Sequence, residues 1–340
     1  MHKERDPLDD CVAAEMQAHG IPAVSLAIVR DGQIAAARAY GHLAAGEQEI
    51  DPETLFQAAS ISKVLAALGA LLLVERGMLS LDADVNDRLI GWKLPGNEFT
   101  HAEKVTVRRI LSHTAGLTVH GFPGYARGRP LPELTEILDG AGCANTAPVR
   151  VETVPGSVRK YSGGGYTILQ KLMIDVTGQP FPSLMKELVL DPLKMDRSTF
   201  EQPLPARWES AAACGHLPQS GRFRGNWNVM PEMAAAGLWT TPSDLARLVI
   251  AIQAANAGAT DGAISPQVAR WMTTPVVKGQ GMGPMILGSK NHLFGHEGRT
   301  WGFDSWLHAS PVRGVVIMIN ANDNTKALRR ICKTAWNLDL

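Results

Sequence analysis

The stretch FQAASISKVLAALGALLLVERG, residues 56–77, decides how this chain is read. Val64 to Val74 is apolar without a break. That run is too short to span a bilayer, which takes roughly 20 residues. It is also too apolar for a surface helix, so it predicts a helix starting near Ser60 and buried on all sides. Arg76-Gly77 supplies a basic last turn and a glycine cap. The first turn carries Ser60, Ser62 and Lys63. Ser60 and Lys63, three residues apart, share a helix face. A serine hydroxyl is a poor nucleophile until a base stands beside it. A lysine serves as that base where burial or a neighbouring cation disfavours the ammonium, and no ionisable residue intervenes between Lys63 and Glu75. Free N–H groups at a helix start also favour developing negative charge. Taken alone, the same residues favour an N-cap followed by a lysine reaching for solvent. The stretch alone does not decide between nucleophile and cap. Ser62, on another face, is expected to be dispensable for covalent chemistry.

Outward from this helix, PAVSLAIVRDGQIAAARAYG (22–41) predicts two strands joined by an Asp31-Gly32 turn. ETLFQAAS (53–60) reads as a third extended piece feeding the helix. From Leu79 to about Leu287, helical segments such as VTVRRILSH, LPELTEILDG, YTILQKLMIDVTG, FPSLMKELVL and PSDLARLVIAIQAANAG alternate with Pro- and Gly-rich loops. NHLFGHEG, TWGFDSWLHA and GVVIMINAN then predict strands, with a turn at SPVRG and a closing helix at TKALRRICKTAWNL. Strands at both ends and helices between them predict an α+β fold. Residues 1–78 and 288–340 would form a discontinuous sheet domain. Residues 79–287 would form a mainly helical domain, with the site in the cleft between.

Composition narrows the function classes. The 340 residues carry 33 Lys+Arg and 33 Asp+Glu, with no basic stripe, which argues against nucleic acid as a partner. Cys11, Cys143, Cys214 and Cys332 are far apart and form no metal or disulfide pattern. Their scatter suits a reducing compartment. The charged N-terminus lacks an apolar signal core. The expectation is a cytoplasmic protein without membrane, metal or cofactor, acting on a small molecule, its oligomeric state left open.

Two further stretches carry chemistry. GSVRKYSGGGYTIL places Tyr161 before a run of glycines beginning at Gly163, which allows close backbone approach and a tyrosine projecting into a cleft. FGHEGRTWGF holds His296, Glu297 and Gly298. On a strand facing the helix start, the N–H of Arg299 pairs with that of Ser60 as an oxyanion hole. His296 then donates to a bound carbonyl or carboxylate, or acts as an acid. Position 300 is Thr, so HExxH fails. His113, after an amphipathic helix, reads as structural. Met230, Met233 and Trp239 are candidates for an apolar acyl pocket. No GxSxG elbow, Walker loop or GxGxxG occurs.

SxxK at Ser60, the tyrosine motif at Tyr161 and HxG at His296, in this order, resemble the three motifs of the serine β-lactamase and penicillin-binding-protein superfamily. The branch most similar is the class C β-lactamase-related hydrolases: family VIII carboxylesterases, D-aminopeptidases and DD-peptidases. LLVERGMLSLDADVNDRL, VTVRRILSHTAGL, PGSVRKYSGGGYTILQKLMIDVTG and AAAGLWTTPSDLARLV extend the likeness from about Asp9 to the C-terminus. The resemblance implies an antiparallel sheet flanked by helices with an inserted helical domain. It also implies Ser60 as acylated nucleophile, Lys63 as proton acceptor, Tyr161 as proton shuttle, and the N–H groups of Ser60 and Arg299 as oxyanion hole. Two departures bear on substrate. Gly163 stands where many members have Asn, and His296 where β-lactamases have Lys. Both weaken recognition of penicillin. The expectation is a carboxylesterase on small or medium acyl esters. A D-amino-acid amidase or peptidase, an acyltransferase, a weak β-lactamase and a non-turnover sensor are the alternatives.

Overall fold

The computed structural model describes residues 6–44, 47–218, 221–288 and 293–338. Six strands form the main sheet: β1 (Ala23–Arg30), β2 (Gln33–Gly41), β3 (Met285–Ile286), β4 (Phe294–Thr300), β5 (Phe303–Ala309) and β6 (Arg313–Ile319). Their order is β2-β1-β6-β5-β4-β3, and every neighbour is antiparallel. The first and last parts of the chain therefore meet at the β1–β6 pair, where Val24 faces Ile319 and Arg30 faces Arg313. Residues 291–292 of the expected NHLFGHEG strand lie outside the described residues. Asp31 and Gly32 both adopt positive φ, 46° and 76°, as a two-residue hairpin turn requires.

β1 is buried along its whole length because helices cover both sheet faces, whereas the edge strand β2 is mostly half-exposed. On the outer face lie the opening helix (Pro7–His19) and the closing helix (Thr325–Trp336). Their Leu8, Val12, Leu328 and Ile331 pack on Leu26, Ile28, Val315 and Ile317. On the inner face lies the helix Pro242–Asn256, whose Gln253 Nε2 donates to the carbonyls of Ser310 (2.6 Å) and Arg313 (3.1 Å). Thus a helix from the middle of the chain belongs to the sheet's own packing.

The apolar run becomes the helix Ser62–Glu75, buried from Ser62 to Leu73 and enclosed by the larger of two apolar clusters. It starts two residues later than expected, because Ala59–Ile61 form a 3₁₀ turn and Ser60 sits within it. ETLFQAAS yields only Phe56–Gln57, which pairs with Trp239–Thr240 and not with the main sheet. VTVRRILSH is helical only over Val107–Leu111. The Ser112 hydroxyl takes the Arg108 carbonyl (2.8 Å), and His113 turns left-handed at φ 57°. FPSLMKELVL is α-helical over Phe181–Met185 and π-helical over Lys186–Leu190. All four cysteines are free. Among the described residues no helix is long and apolar enough to cross a membrane.

Candidate active site

The turn that carries Ser60 is built by strand, strain and clamp together. Ala58 is fixed by its N–H to the Leu238 carbonyl at 2.9 Å. Its own carbonyl accepts from Ile61 N–H (3.1 Å) and from the Ser305 hydroxyl on β5 (2.9 Å). A Cβ at Gly298 would lie 2.2 Å from that carbonyl oxygen and 2.2 Å from Ser305 Oγ. Only glycine lets β4 approach the turn this closely. Ala59 is held at φ 47°, a left-handed conformation that costs an alanine about 1–2 kcal/mol. The buried Ser62 hydroxyl holds it there, donating to the Ala59 carbonyl (2.6 Å) and accepting from Leu238 N–H (3.0 Å).

Ser62→Ala therefore leaves the buried Leu238 N–H without its partner and removes one of the bonds to the Ala59 carbonyl, which still accepts from the Ser62 N–H. Thermal and chemical unfolding are expected to show a loss of about 2 kcal/mol. A fluorophosphonate probe is still expected to label the variant, more slowly. A variant as stable as the parent would show that the Ser62 hydroxyl does not clamp the turn.

Lys63 is 2% exposed. Its Nζ lies 3.1 Å from Ser60 Oγ and donates to the Ala235 carbonyl at 2.7 Å. The ring centroids of Tyr161 and Tyr166 stand 5.1 and 5.7 Å from it. No carboxylate pairs with it among the described residues, and its Nζ faces a carbonyl, a hydroxyl and ring faces. The loop carrying Ala235 is itself bracketed. Gln170 donates to the Pro231 carbonyl (3.1 Å) and accepts from Ala234 N–H (3.0 Å). Gln202 donates to the Gly237 carbonyl at 2.7 Å.

Tyr161 is positioned by its neighbours. Lys160 N–H donates to the His113 carbonyl (2.7 Å), and Ser162 N–H donates to His113 Nδ1 (3.2 Å). The His113 ring stacks on Tyr161 with centroids 4.2 Å apart. His113 is buried, and burial followed by the charge of Lys63 holds its pKa well below the usual imidazole value. It is neutral and acts through Tyr161. Ser162 caps the helix Gly163–Thr177 by accepting from Gly165 N–H (3.0 Å). The N–H groups of Gly163 and Gly164 reach the carbonyls of His120 and Val119, both at 3.0 Å. A Cβ at Gly163 would meet the Phe122 ring at 2.9 Å. The space that a side chain at this position would need is thus taken by Phe122, and Gly163 itself does not line the cleft.

His296 is buried on β4 beside the same cleft. Its Nδ1 lies 2.6 Å from the Glu297 carbonyl, which can only accept. Nδ1 therefore carries the proton and Nε2 is an acceptor. Burial, then the Lys63 charge, pushes its pKa down to about 3, so it is neutral at pH 7. This corrects the expectation of a donor or acid at His296. Nε2 is a lone pair with no partner among the described residues.

Ser60, Lys63, Tyr161, His296, Gly298 and Arg299 all line one cleft of about 400 Å³. Phe122, Met230 and Met285 give it apolar walls. The Arg299 side chain turns to Asp304 (2.9 Å) and Thr325 (2.6 Å), so its guanidinium is already taken by protein partners. Trp239 does not line the cleft. It is fully buried, edge-on to Trp227 and Phe303 at 5.1 and 5.9 Å, and belongs to the core. Met233 is likewise absent from the cleft wall, whereas Met230 is present. The Ala235 carbonyl, Ser305, Phe122 and His120 escaped the sequence reading. The first is backbone, and the others sit in no recognisable pattern.

The chain is 27% identical over 321 residues to penicillin-binding protein 4 of Amycolatopsis lactamdurans, covering 89% of this chain and 81% of that one. It is 22% identical to the flp protein of Staphylococcus aureus strain MW2, over 95% of this chain but only 64% of the other, under two thirds of its length. It superposes on D-amino acid amidase of Ochrobactrum anthropi SV3 with a TM-score of 0.75 at 20% identity, over 96% of this chain and 98% of that one. The Beta-lactamase family model matches residues 8–338. With SxxK folded against a tyrosine and an HxG strand, the chain belongs to the β-lactamase family, within the serine β-lactamase and penicillin-binding-protein superfamily of hydrolases.

Proposed function

We propose that this protein is a serine hydrolase that acts through an acyl-enzyme at Ser60, on carboxylic esters of small or medium acyl groups. The observation that carries the proposal is the 3.1 Å contact between Ser60 Oγ and the buried Lys63 Nζ, at the wall of a cleft with apolar sides. In this mechanism Ser60 Oγ forms a bond to the substrate carbonyl carbon as its proton passes to the Lys63–Tyr161 pair. The oxyanion is held by the N–H groups of Ser60 and Arg299. Collapse breaks the bond to the leaving alcohol, which takes the proton. Water then attacks the acyl-enzyme and regenerates Ser60. Free cysteines throughout suit a cytoplasmic enzyme.

Two features favour esters over penicillins. β-Lactamases place a lysine where this chain has a neutral His296, so a ligand carboxylate meets a lone pair in place of a cation. Phe122 fills the space beside Gly163. One feature favours a second reading, hydrolysis of amino-acid amides: a neutral acceptor at His296 Nε2 suits a substrate N–H.

A panel of p-nitrophenyl butyrate, D- and L-phenylalanine amide and nitrocefin decides between them. The expected order of kcat/KM is ester, then amide, then nitrocefin. An amide hydrolysed faster than the ester would transfer the assignment to the second reading. Nitrocefin as the best substrate would overturn both.

A further inference from the structure

The opening and closing helices pack chiefly over β1, β6 and β5 on the sheet's outer face. Beside the closing helix a second cavity opens, of about 610 Å³. Its sheet wall is Trp306 and His308, its helix wall includes Trp336, and Leu287 and Leu293 add apolar lining. Trp306 and Glu297 line this cavity and the catalytic cleft alike, so the two are neighbours across the β4–β5 pair.

Its electrostatics are one-sided. Arg329 and Lys333, four residues apart on the exposed side of the closing helix, both line it. The adjacent Arg330 is paired with Glu15 (2.9 Å), whereas neither Arg329 nor Lys333 finds a carboxylate among the described residues. Glu297 is the single acid of the lining, and it stands on the strand side. The sheet wall has hydrogen-bonding capacity to spare, because Trp306 Nε1 and His308 Nε2 are buried without partners among the described residues. Their rings lie 4.6 Å apart.

We propose that this cavity is a second, non-catalytic binding site for a small apolar carboxylate, with its chain between Trp306, Trp336, Leu287 and Leu293 and its anion at Arg329 and Lys333. The volume suits a small ligand. The two cations select an anion, and Glu297 repels it from the strand end. An acid of this kind is also what ester hydrolysis releases, although the site itself does not depend on that activity.

The test uses the full chain, treated with a fluorophosphonate to fill the Ser60 cleft and checked by mass spectrometry. Calorimetry then measures butyrate, octanoate, 4-phenylbutyrate and octylamine. The expected result is one octanoate per capped chain, with affinity rising about fourfold per added methylene. The double variant Arg329→Glu/Lys333→Glu, at exposed positions, is expected to weaken octanoate at least about tenfold, and octylamine is not expected to bind the parent. Binding that the phosphonate abolishes would assign the acid to the catalytic cleft and overturn the proposal. So would undiminished binding to the double variant, or no binding to the parent. Absence of phosphonate labelling would count against Ser60 as nucleophile. The comparison of parent and double variant would still decide the second site.

Discussion

Ser60→Ala is expected to lower kcat on p-nitrophenyl butyrate by about 10⁴–10⁶-fold, the scale seen when a hydrolase loses its nucleophile. Fluorophosphonate labelling should vanish with it, while the fold remains. The reason is local. Among the described residues, Ser60 Oγ is the one hydroxyl hydrogen-bonded to Lys63 Nζ, at 3.1 Å. Ser62, two residues on, spends its hydroxyl on the Ala59 carbonyl and the Leu238 N–H. No second nucleophile stands ready on this turn. KM should change little, because the Oγ contributes to bond formation more than to ground-state binding. Turnover and labelling in the alanine variant equal to the parent's would show that Ser60 is only part of a turn.

Glu232→Gln is expected to alter stability with a distinct pH signature. Glu232 is fully buried, and neither carboxyl oxygen has a partner among the described residues. Burial pushes its pKa from 4.5 up to about 7. Below pH 4.5 the group is protonated in both folded and unfolded chains and has no effect. Between pH 4.5 and 7 the unfolded chain releases the proton while the folded one keeps it, so stability falls as pH rises. Above pH 7 the loss is complete, at about 3 kcal/mol. Glutamine has the same shape and never ionises. Relative to the parent, the variant should therefore gain about 3 kcal/mol, or about 4 °C in Tm, between pH 4 and pH 8. Thermal melts across that range check it, and a Tm difference independent of pH would contradict it. Glu232 precedes the short helix Met233–Ala236 whose Ala235 carbonyl accepts from Lys63. Its ionisation therefore loads the loop that positions the lysine.

The parts of the site legible in the sequence are those with local geometry. Ser60 and Lys63 are three residues apart, and a helical turn brings them together whatever surrounds it. Gly298 and the glycines after Tyr161 mark places where two backbones meet, and the close approach of β4 to Ala58 is such a place. The misreadings concern environment. Trp239 sits in a stretch of small residues next to loops, which reads as a pocket wall. It is core because Trp227 and Phe303, distant in sequence, close over it. His296 reads as a donor because imidazole can donate. A neighbouring backbone carbonyl takes its one proton, and no residue pattern encodes that.

By itself the sequence determined that a helix starting near Ser60 and ending before Gly77 is buried on all sides, since an apolar run broken by no charge has no solvent face. It also determined that strands lie at both ends and that a serine and a lysine share one turn. Only the tertiary structure decided that Lys63 is buried against Ser60 Oγ and does not reach for solvent. Contacts between segments far apart in the chain hold Ala59 left-handed, press β4 against the Ala58 carbonyl and set the Ala235 carbonyl on Lys63. Each of these is a close approach between backbones, fixed by packing over the whole chain, and hydrophobic pattern alone carries no information about it.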